Sequence, residues 1–178
     1  MDDIRKSLGL VQVYTGDGKG KTTAALGLAL RASGRGLNVI MVQFMKPDAG
    51  FGEQEAVKNI PNFTIVSLGP NHFCGSDKTH DEDVRCSEEA MKKSKEVLSS
   101  GEYDLVILDE VNNALRFGYV ESSDVISMLE SRAPHVEVVL TGRRVPQEII
   151  DYADLVTEMR MIKHPFDKGI EARIGIEY

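Results

Sequence analysis

No apolar run in this chain approaches the roughly 20 residues needed to cross a bilayer. The opening MDDIRKSLGL has no apolar core of the kind a secretory signal carries, so none is expected. Basic residues are in deficit: 21 Lys and Arg face 28 Asp and Glu, for a net charge of -7. A domain that grips nucleic acid normally offers a basic face, so this balance argues against DNA or RNA as the main partner. It leaves room for a nucleotide, which needs only a local basic pocket. Cysteine is scarce. Cys74 and Cys86 give neither a disulfide framework nor zinc-ligand spacing, and each reads best as a small buried residue or an idle thiol. A reducing, cytoplasmic setting is the simplest expectation. Nothing is unusual in what remains: 42% hydrophobic and 28% charged residues over 178 positions suit one globular domain, residues 1–178.

Short apolar runs alternate with helical patterns. LVQVY (10–14), LNVIMVQF (37–44), FTIVSL (63–68), YDLVILDE (103–110), VEVVL (136–140) and DLVTEM (154–159) read as strands. The second is apolar on both faces, as a buried parallel strand would be. TTAALGLALRAS (22–33) reads as a helix stopped by Gly34 and Gly36. In VRCSEEAMKKSKEVLSS, residues Val84, Ala90, Met91, Val97 and Leu98 recur at helical spacing. SDVISMLESR gives a short helix capped by Ser122 or Ser123, and PQEIIDYA starts another with Pro146 in its first turn. Strands separated by helices imply crossovers and a mainly parallel sheet covered on both faces. The expected fold is therefore α/β, in three layers. Two stretches, 45–54 and 69–83, fit no element. Both follow strand ends, where ligands bind in open α/β sheets, so they are candidate binding loops.

VYTGDGKGKTTAA (13–25) carries the strongest signal. The usual phosphate-loop pattern is G-x-x-x-x-G-K-[ST]. Gly20, Lys21 and Thr22 supply its end, but Thr15 stands where the first glycine belongs, and Gly16 makes the loop one residue short. The context is right, with a strand before it and a small-residue helix after. Gly16, Gly18 and Gly20 let the backbone turn so that successive N–H groups face an anion. The helix start adds its positive end. Lys21 brings an ammonium to the phosphates, the Thr22 hydroxyl can ligate Mg²⁺, and Lys19 is either a second positive charge or a solvated one.

LVILDE places Asp109 and Glu110 at the end of the fourth strand. An acid there is the usual companion of a phosphate loop and holds Mg²⁺ directly or through water. The spacing leaves open which of the two touches the metal. In a hydrolase Glu110 would instead orient a water. TGRRVP follows a strand too, so Arg143 or Arg144 can reach the phosphates and stabilise developing charge, or serve a surface ion pair. His72, His80, His135 and His164 are singletons and read as surface or core residues.

With these stations in view the sequence resembles the P-loop ATP:corrinoid adenosyltransferases, the cob(I)yrinic acid a,c-diamide or cob(I)alamin adenosyltransferases. TGDGKGKTTAALGLALRASGRG looks like their nucleotide loop, shortened spacing included. VQFMK with Gly52 and Glu53 is similar to the segment after their second strand, YDLVILDE to their acidic strand end. The block from Thr141 nearly to Tyr178 is similar to their C-terminus. In several members a phenylalanine and a tryptophan follow the third strand and pack on the corrinoid. Here Phe73 stands at the first position and Gly75 at the second, and the chain has no tryptophan.

The resemblance implies a P-loop NTPase fold of the RecA-like kind. It implies transfer of the 5'-deoxyadenosyl group of ATP to the Co(I) of a reduced corrinoid, cobalamin or a precursor, with release of triphosphate. Co(I) is itself the nucleophile, so no general base is needed. The site residues implied are Gly16, Asp17, Gly18, Lys19, Gly20, Lys21, Thr22, Thr23 and Arg143 for the nucleotide, and Phe73 for the corrinoid. Thr22, Asp109 and Glu110 are implied for Mg²⁺ or Mn²⁺, and Lys21 and Glu110 for catalysis. A homodimer and a reduced flavoprotein or other electron donor follow from the same resemblance. A shortened loop has a use in such an enzyme: it shifts the phosphates so that C5', not the γ-phosphate, faces the second substrate. Two other readings compete. A small P-loop kinase or ATPase would release ADP, and a nucleotide-binding regulatory module would release nothing.

Overall fold

The structure is a computed structural model that describes residues 2–72 and 81–178. Six strands form one sheet: β1 (Val11–Thr15), β2 (Val39–Gln43), β3 (Phe63–Ser67), β4 (Leu105–Asp109), β5 (Glu137–Thr141) and β6 (Leu155–Glu158). Their order is β3-β2-β4-β5-β1-β6, and every neighbouring pair is parallel. The helices are α1 (Asp2–Arg5), α2 (Lys21–Ser33), α3 (Gly52–Ala56), α4 (Asp81–Ser100), α5 (Val111–Arg116), α6 (Ser122–Glu130) and α7 (Gln147–Tyr152). This is the expected α/β fold, and the sheet is wholly rather than mainly parallel. Among the described residues no helix is long and apolar enough to cross a membrane.

Two apolar cores lie on opposite faces of the sheet. Alternate residues of β4 serve each: Val106 and Leu108 pack with α4, α5, α6 and α7, and Leu105 and Ile107 pack with α2. Every residue of β2 and β4 is buried, as their unbroken apolar runs require. Helix α2 lies close to the sheet because the face it buries is alanine, at Ala25, Ala29 and Ala32. β6 is an edge strand whose four residues are all exposed.

Some element ends differ from the sequence reading. Helix α6 begins at Ser122 itself, with Glu121 in extended conformation at the cap position and no side-chain cap bond. Pro146 precedes α7 rather than opening it. Helix α4 starts three residues earlier than its apolar spacing suggests, at Asp81, and its acidic first turn complements the helix dipole. Helix α5 gave no periodic signal, since it is only 6 residues long. Part of the 45–54 stretch is helical, in α3.

The glycines of the loop after β1 have two separate reasons to be there. Gly20 has φ +122 and ordinary space around it, so it answers a backbone need. Gly16 has φ +98, and a Cβ on it would fall 2.4 Å from the Met159 carbonyl oxygen. Gly18 donates its N–H to that same oxygen at 2.7 Å, so the segment after β6 lies directly on the loop. Gly50, with φ +101, meets nothing within 4 Å. Gly16→Ala is therefore expected to destabilise the fold by roughly 2–4 kcal/mol, adding overpacking to left-handed strain. Gly50→Ala is expected to lose only about 1 kcal/mol, from the strain alone. Urea unfolding of the two variants measures the difference, and equal losses would contradict the packing role of Gly16.

Candidate active site

The site is built at the carboxyl ends of β1, β2, β4 and β5. The parallel register sets Gln43 beside Ser67 on one side and Asp109 on the other. Leu108 pairs with Leu140, so the next residues, Asp109 and Thr141, also meet. The result is a polar row across four strand tips. Ser67 Oγ donates to Gln43 Oε1 at 2.7 Å, Gln43 Nε2 to Asp109 Oδ2 at 3.3 Å, and Thr141 Oγ1 to Asp109 Oδ1 at 2.7 Å.

Asp109 is fully buried, and its two oxygens have different company. Oδ1 accepts from the hydroxyls of Thr22, at 2.8 Å, and Thr141. Oδ2 faces the Lys46 ammonium at 3.0 Å. Lys46 also pairs with Glu53 of α3 at 3.1 Å and lies 5.1 Å from the centre of the Phe51 ring. Burial alone would lower the Lys46 pKa, but Asp109 and Glu53 outweigh it and leave it raised.

Lys21 opens α2 with its ammonium donating to the carbonyls of Gly16 at 2.8 Å and Gly18 at 2.7 Å. Burial lowers its pKa, against the pull of Glu110. Lys19 and Asp17 are exposed, as is Thr23. Lys19 turns to the C-terminus and pairs with Glu177 at 2.7 Å.

Glu110 takes a left-handed conformation, φ 65, at the start of α5. That rare geometry for a glutamate turns its side chain aside from the polar row, and its Oε2 accepts from Asn113 Nδ2. Asn113 Oδ1 in turn accepts from the Arg143 backbone N–H at 2.8 Å, which ties the loop after β5 to α5. Burial and the neighbouring Asp109 push the Glu110 carboxyl from 4.5 up to about 7, against the opposing pull of Lys46, Lys21 and Arg143.

Two clefts open over these residues. One, of about 550 Å³, runs along Gly18–Thr23 and is closed by the chain end at Gly175–Tyr178. The other, of about 650 Å³, is lined by Met45, Pro47, Phe51 and Phe117, with Arg116, Asn71 and His72 at its polar side. Lys46, Glu110 and Arg143 belong to the walls of both. The anticipated Lys21, Thr22, Asp109, Glu110 and Arg143 are thus brought together. Arg144 is exposed and lines neither cleft. Phe73 lies outside the described residues, as do Cys74, Gly75 and His80. His72 is paired with the buried Asp83 at 2.7 Å, and His164 lines the first cleft. Sequence reasoning gave no role to Lys46, Glu53, Gln43, Thr141, Asn113 or Glu177. Lys46, Glu53 and Thr141 lie in recognisable motifs, but nothing in a linear motif shows that Lys46 and Thr141 both meet Asp109 or that Glu53 joins them through Lys46.

The oxygen-only set of Thr22 and Asp109 suits a hard cation such as Mg²⁺, completed by water and phosphate. Glu110 also makes the site pH-sensitive. Its folded pKa, about 7, lies above its ordinary 4.5, so the native state binds the extra proton. Stability from this group is full below about pH 4.5 and falls as pH rises towards about 7. Glu110→Gln is expected to abolish that fall. Urea unfolding across pH 5 to 8, without metal or nucleotide, measures it, and an unchanged slope would contradict the buried environment assigned to Glu110.

The profile of the family described as ATP:corrinoid adenosyltransferase BtuR/CobO/CobP matches residues 7–178. The chain is 39% identical to a corrinoid adenosyltransferase of Sinorhizobium sp over 175 residues, covering 96% of this chain and 80% of that one. It is 37% identical to corrinoid adenosyltransferase CobA of Salmonella typhimurium, covering 96% and 86%. The Pseudomonas aeruginosa corrinoid adenosyltransferase is 36% identical, with 98% and 86% covered. A match that runs from before β1 to the last residue takes in the phosphate loop, the acid of β4 and the C-terminal block together, and the chain belongs to the ATP:corrinoid adenosyltransferase family.

Proposed function

We propose that this protein is a corrinoid adenosyltransferase that moves the 5'-deoxyadenosyl group of ATP onto the cobalt of a reduced corrinoid. The observation that carries the reading is the shared wall. Two clefts, one walled by a phosphate loop and one by apolar side chains, meet at Lys46, Glu110 and Arg143. A phosphoryl-transfer enzyme needs an acceptor at the γ-phosphate. A two-cleft transferase needs its second substrate at the sugar end of the nucleotide.

The chemistry is a displacement at carbon. The Co(I) lone pair forms the Co–C5' bond, the C5'–O5' bond breaks, and triphosphate leaves with the oxygen and both bonding electrons. Lys21, the loop N–H groups and Arg143 stabilise the charge gathering on the leaving group. Thr22 and Asp109 are the residues we assign to Mg²⁺ or Mn²⁺, which when bound adds neutralising charge on the phosphate oxygens. Asn113 positions Glu110 and the Arg143 loop. Met45, Pro47, Phe51 and Phe117 offer apolar surface to the macrocycle and exclude water from the nucleophile. We place Phe73, which follows His72 in the chain, on the corrinoid side. Co(I) must be supplied by a reduced flavoprotein or another electron donor, in keeping with a cytoplasmic enzyme. A homodimer accords with the exposed Ile162, Phe166 and Ile174 of the C-terminal segment, at 87, 73 and 83% exposure.

An anaerobic reaction with Mg-ATP and chemically reduced cob(I)alamin tests the reading. Light-sensitive adenosylcobalamin and triphosphate are expected, whereas ADP without a Co–C bond would return the assignment to a kinase or ATPase. In the same assay Arg143→Ala is expected to lower kcat by about 10²–10³, the usual loss on removing one donor to developing charge. An unaltered kcat would remove Arg143 from the leaving-group site.

A further inference from the structure

We propose that Lys46 is a tethered counter-cation of the metal position: its ammonium holds Asp109 until a divalent cation takes the carboxylate, and its release passes that event to the second cleft. The inference rests on the assignment of Thr22 and Asp109 to the metal.

A carboxylate with no exposed surface is costly to keep charged without a partner. One oxygen of Asp109 is occupied by two hydroxyls, which are neutral. Among the described residues, Lys46 is the one cation in ion-pair contact with it, at 3.0 Å. A divalent ion bound to the same carboxylate would lie within a few ångströms of that ammonium and repel it. Lysine can give way, because its charge sits on a flexible four-carbon stem. Its second acid, Glu53, offers a place to stay, at 3.1 Å. Asp109 meanwhile keeps its hydrogen bonds from Thr22, Thr141 and Gln43.

Displacement of Lys46 has a structural consequence. The residue belongs to both clefts, and its neighbours Met45, Pro47 and Phe51 line the second. The Lys46–Asp109 pair ties this segment to the tip of β4. Releasing it lets the apolar wall of the second cleft adjust after metal-nucleotide has entered the first. The expected order of binding is metal-nucleotide, then corrinoid.

Mn²⁺ binding followed by electron paramagnetic resonance tests the idea without any turnover. In the absence of nucleotide, Lys46→Met is expected to bind Mn²⁺ about tenfold or more tightly than the wild type, since a like charge has been removed. Lys46→Arg, which keeps the charge, is expected to match the wild type. Wild-type protein supplies a second readout that needs no variant. Acetylation of Lys46 by acetic anhydride, measured by mass spectrometry against the exposed Lys58, is expected to rise severalfold when Mn²⁺ is added. Mn²⁺ that binds the wild type without unmasking Lys46, or binds Lys46→Met no more tightly, would overturn the tether and leave the metal assignment standing. No Mn²⁺ binding to the wild type even with ATP present would overturn the metal assignment, and the tether with it.

Discussion

The site hangs on one buried carboxylate. Asp109 ends the central strand β4 with no surface exposed to water, and an acid in that position must be surrounded by donors and a counter-charge. Each of its partners comes from a different segment: Thr22 from the phosphate loop, Thr141 from β5, Gln43 from β2 and Lys46 from the loop beyond it. Satisfying this group therefore fixes these segments relative to the tip of β4. The sheet supplies the register that lets them meet, and the two apolar cores hold the sheet rigid behind them.

Glu110, one residue on, is handled in the opposite way. Asp109 is kept in the row by its partners. Glu110 is turned out of it by a left-handed backbone and held at the common wall of the clefts by Asn113. Adjacent acids thus face different surroundings, and burial, with the like charge of Asp109 beside it, favours the protonated form of the second. A carboxyl pushed up to about 7 is only partly ionised at neutrality, so it adds less negative charge beside a bound triphosphate. Lys21, Lys46 and Arg143 set positive charge around it against the single negative charge of Asp109.

The fold was largely legible because its signals are local. Buried parallel strands are short and apolar throughout, and the spacing of Ala90, Val97 and Leu98 in α4 shows its buried face. The phosphate loop was legible for the same reason, since glycines, a lysine and a threonine act within one turn of chain. What escaped notice depends on contacts distant in sequence. Lys46 and Asp109 are 63 positions apart, and only the register of β2 and β4 brings them together. Glu177 meets Lys19 from the opposite end of the chain. Gly16 and Gly18 pack against Met159, a duty that no motif expresses. Helix α5 has no signature in the sequence because a six-residue helix entered from a left-handed residue is too short for periodicity to show.

On the proposed reaction, the sugar carbon of the nucleotide, rather than its terminal phosphate, lies at the wall that the two clefts share. A crystal structure with Mg-ATP bound measures this directly. The triphosphate is expected along Gly16–Thr22 and C5' turned towards Lys46, Glu110 and Arg143, with an open path to the apolar cleft. A nucleotide whose γ-phosphate sits at that wall, with C5' directed away from it, would rule out attack on C5' from the second cleft.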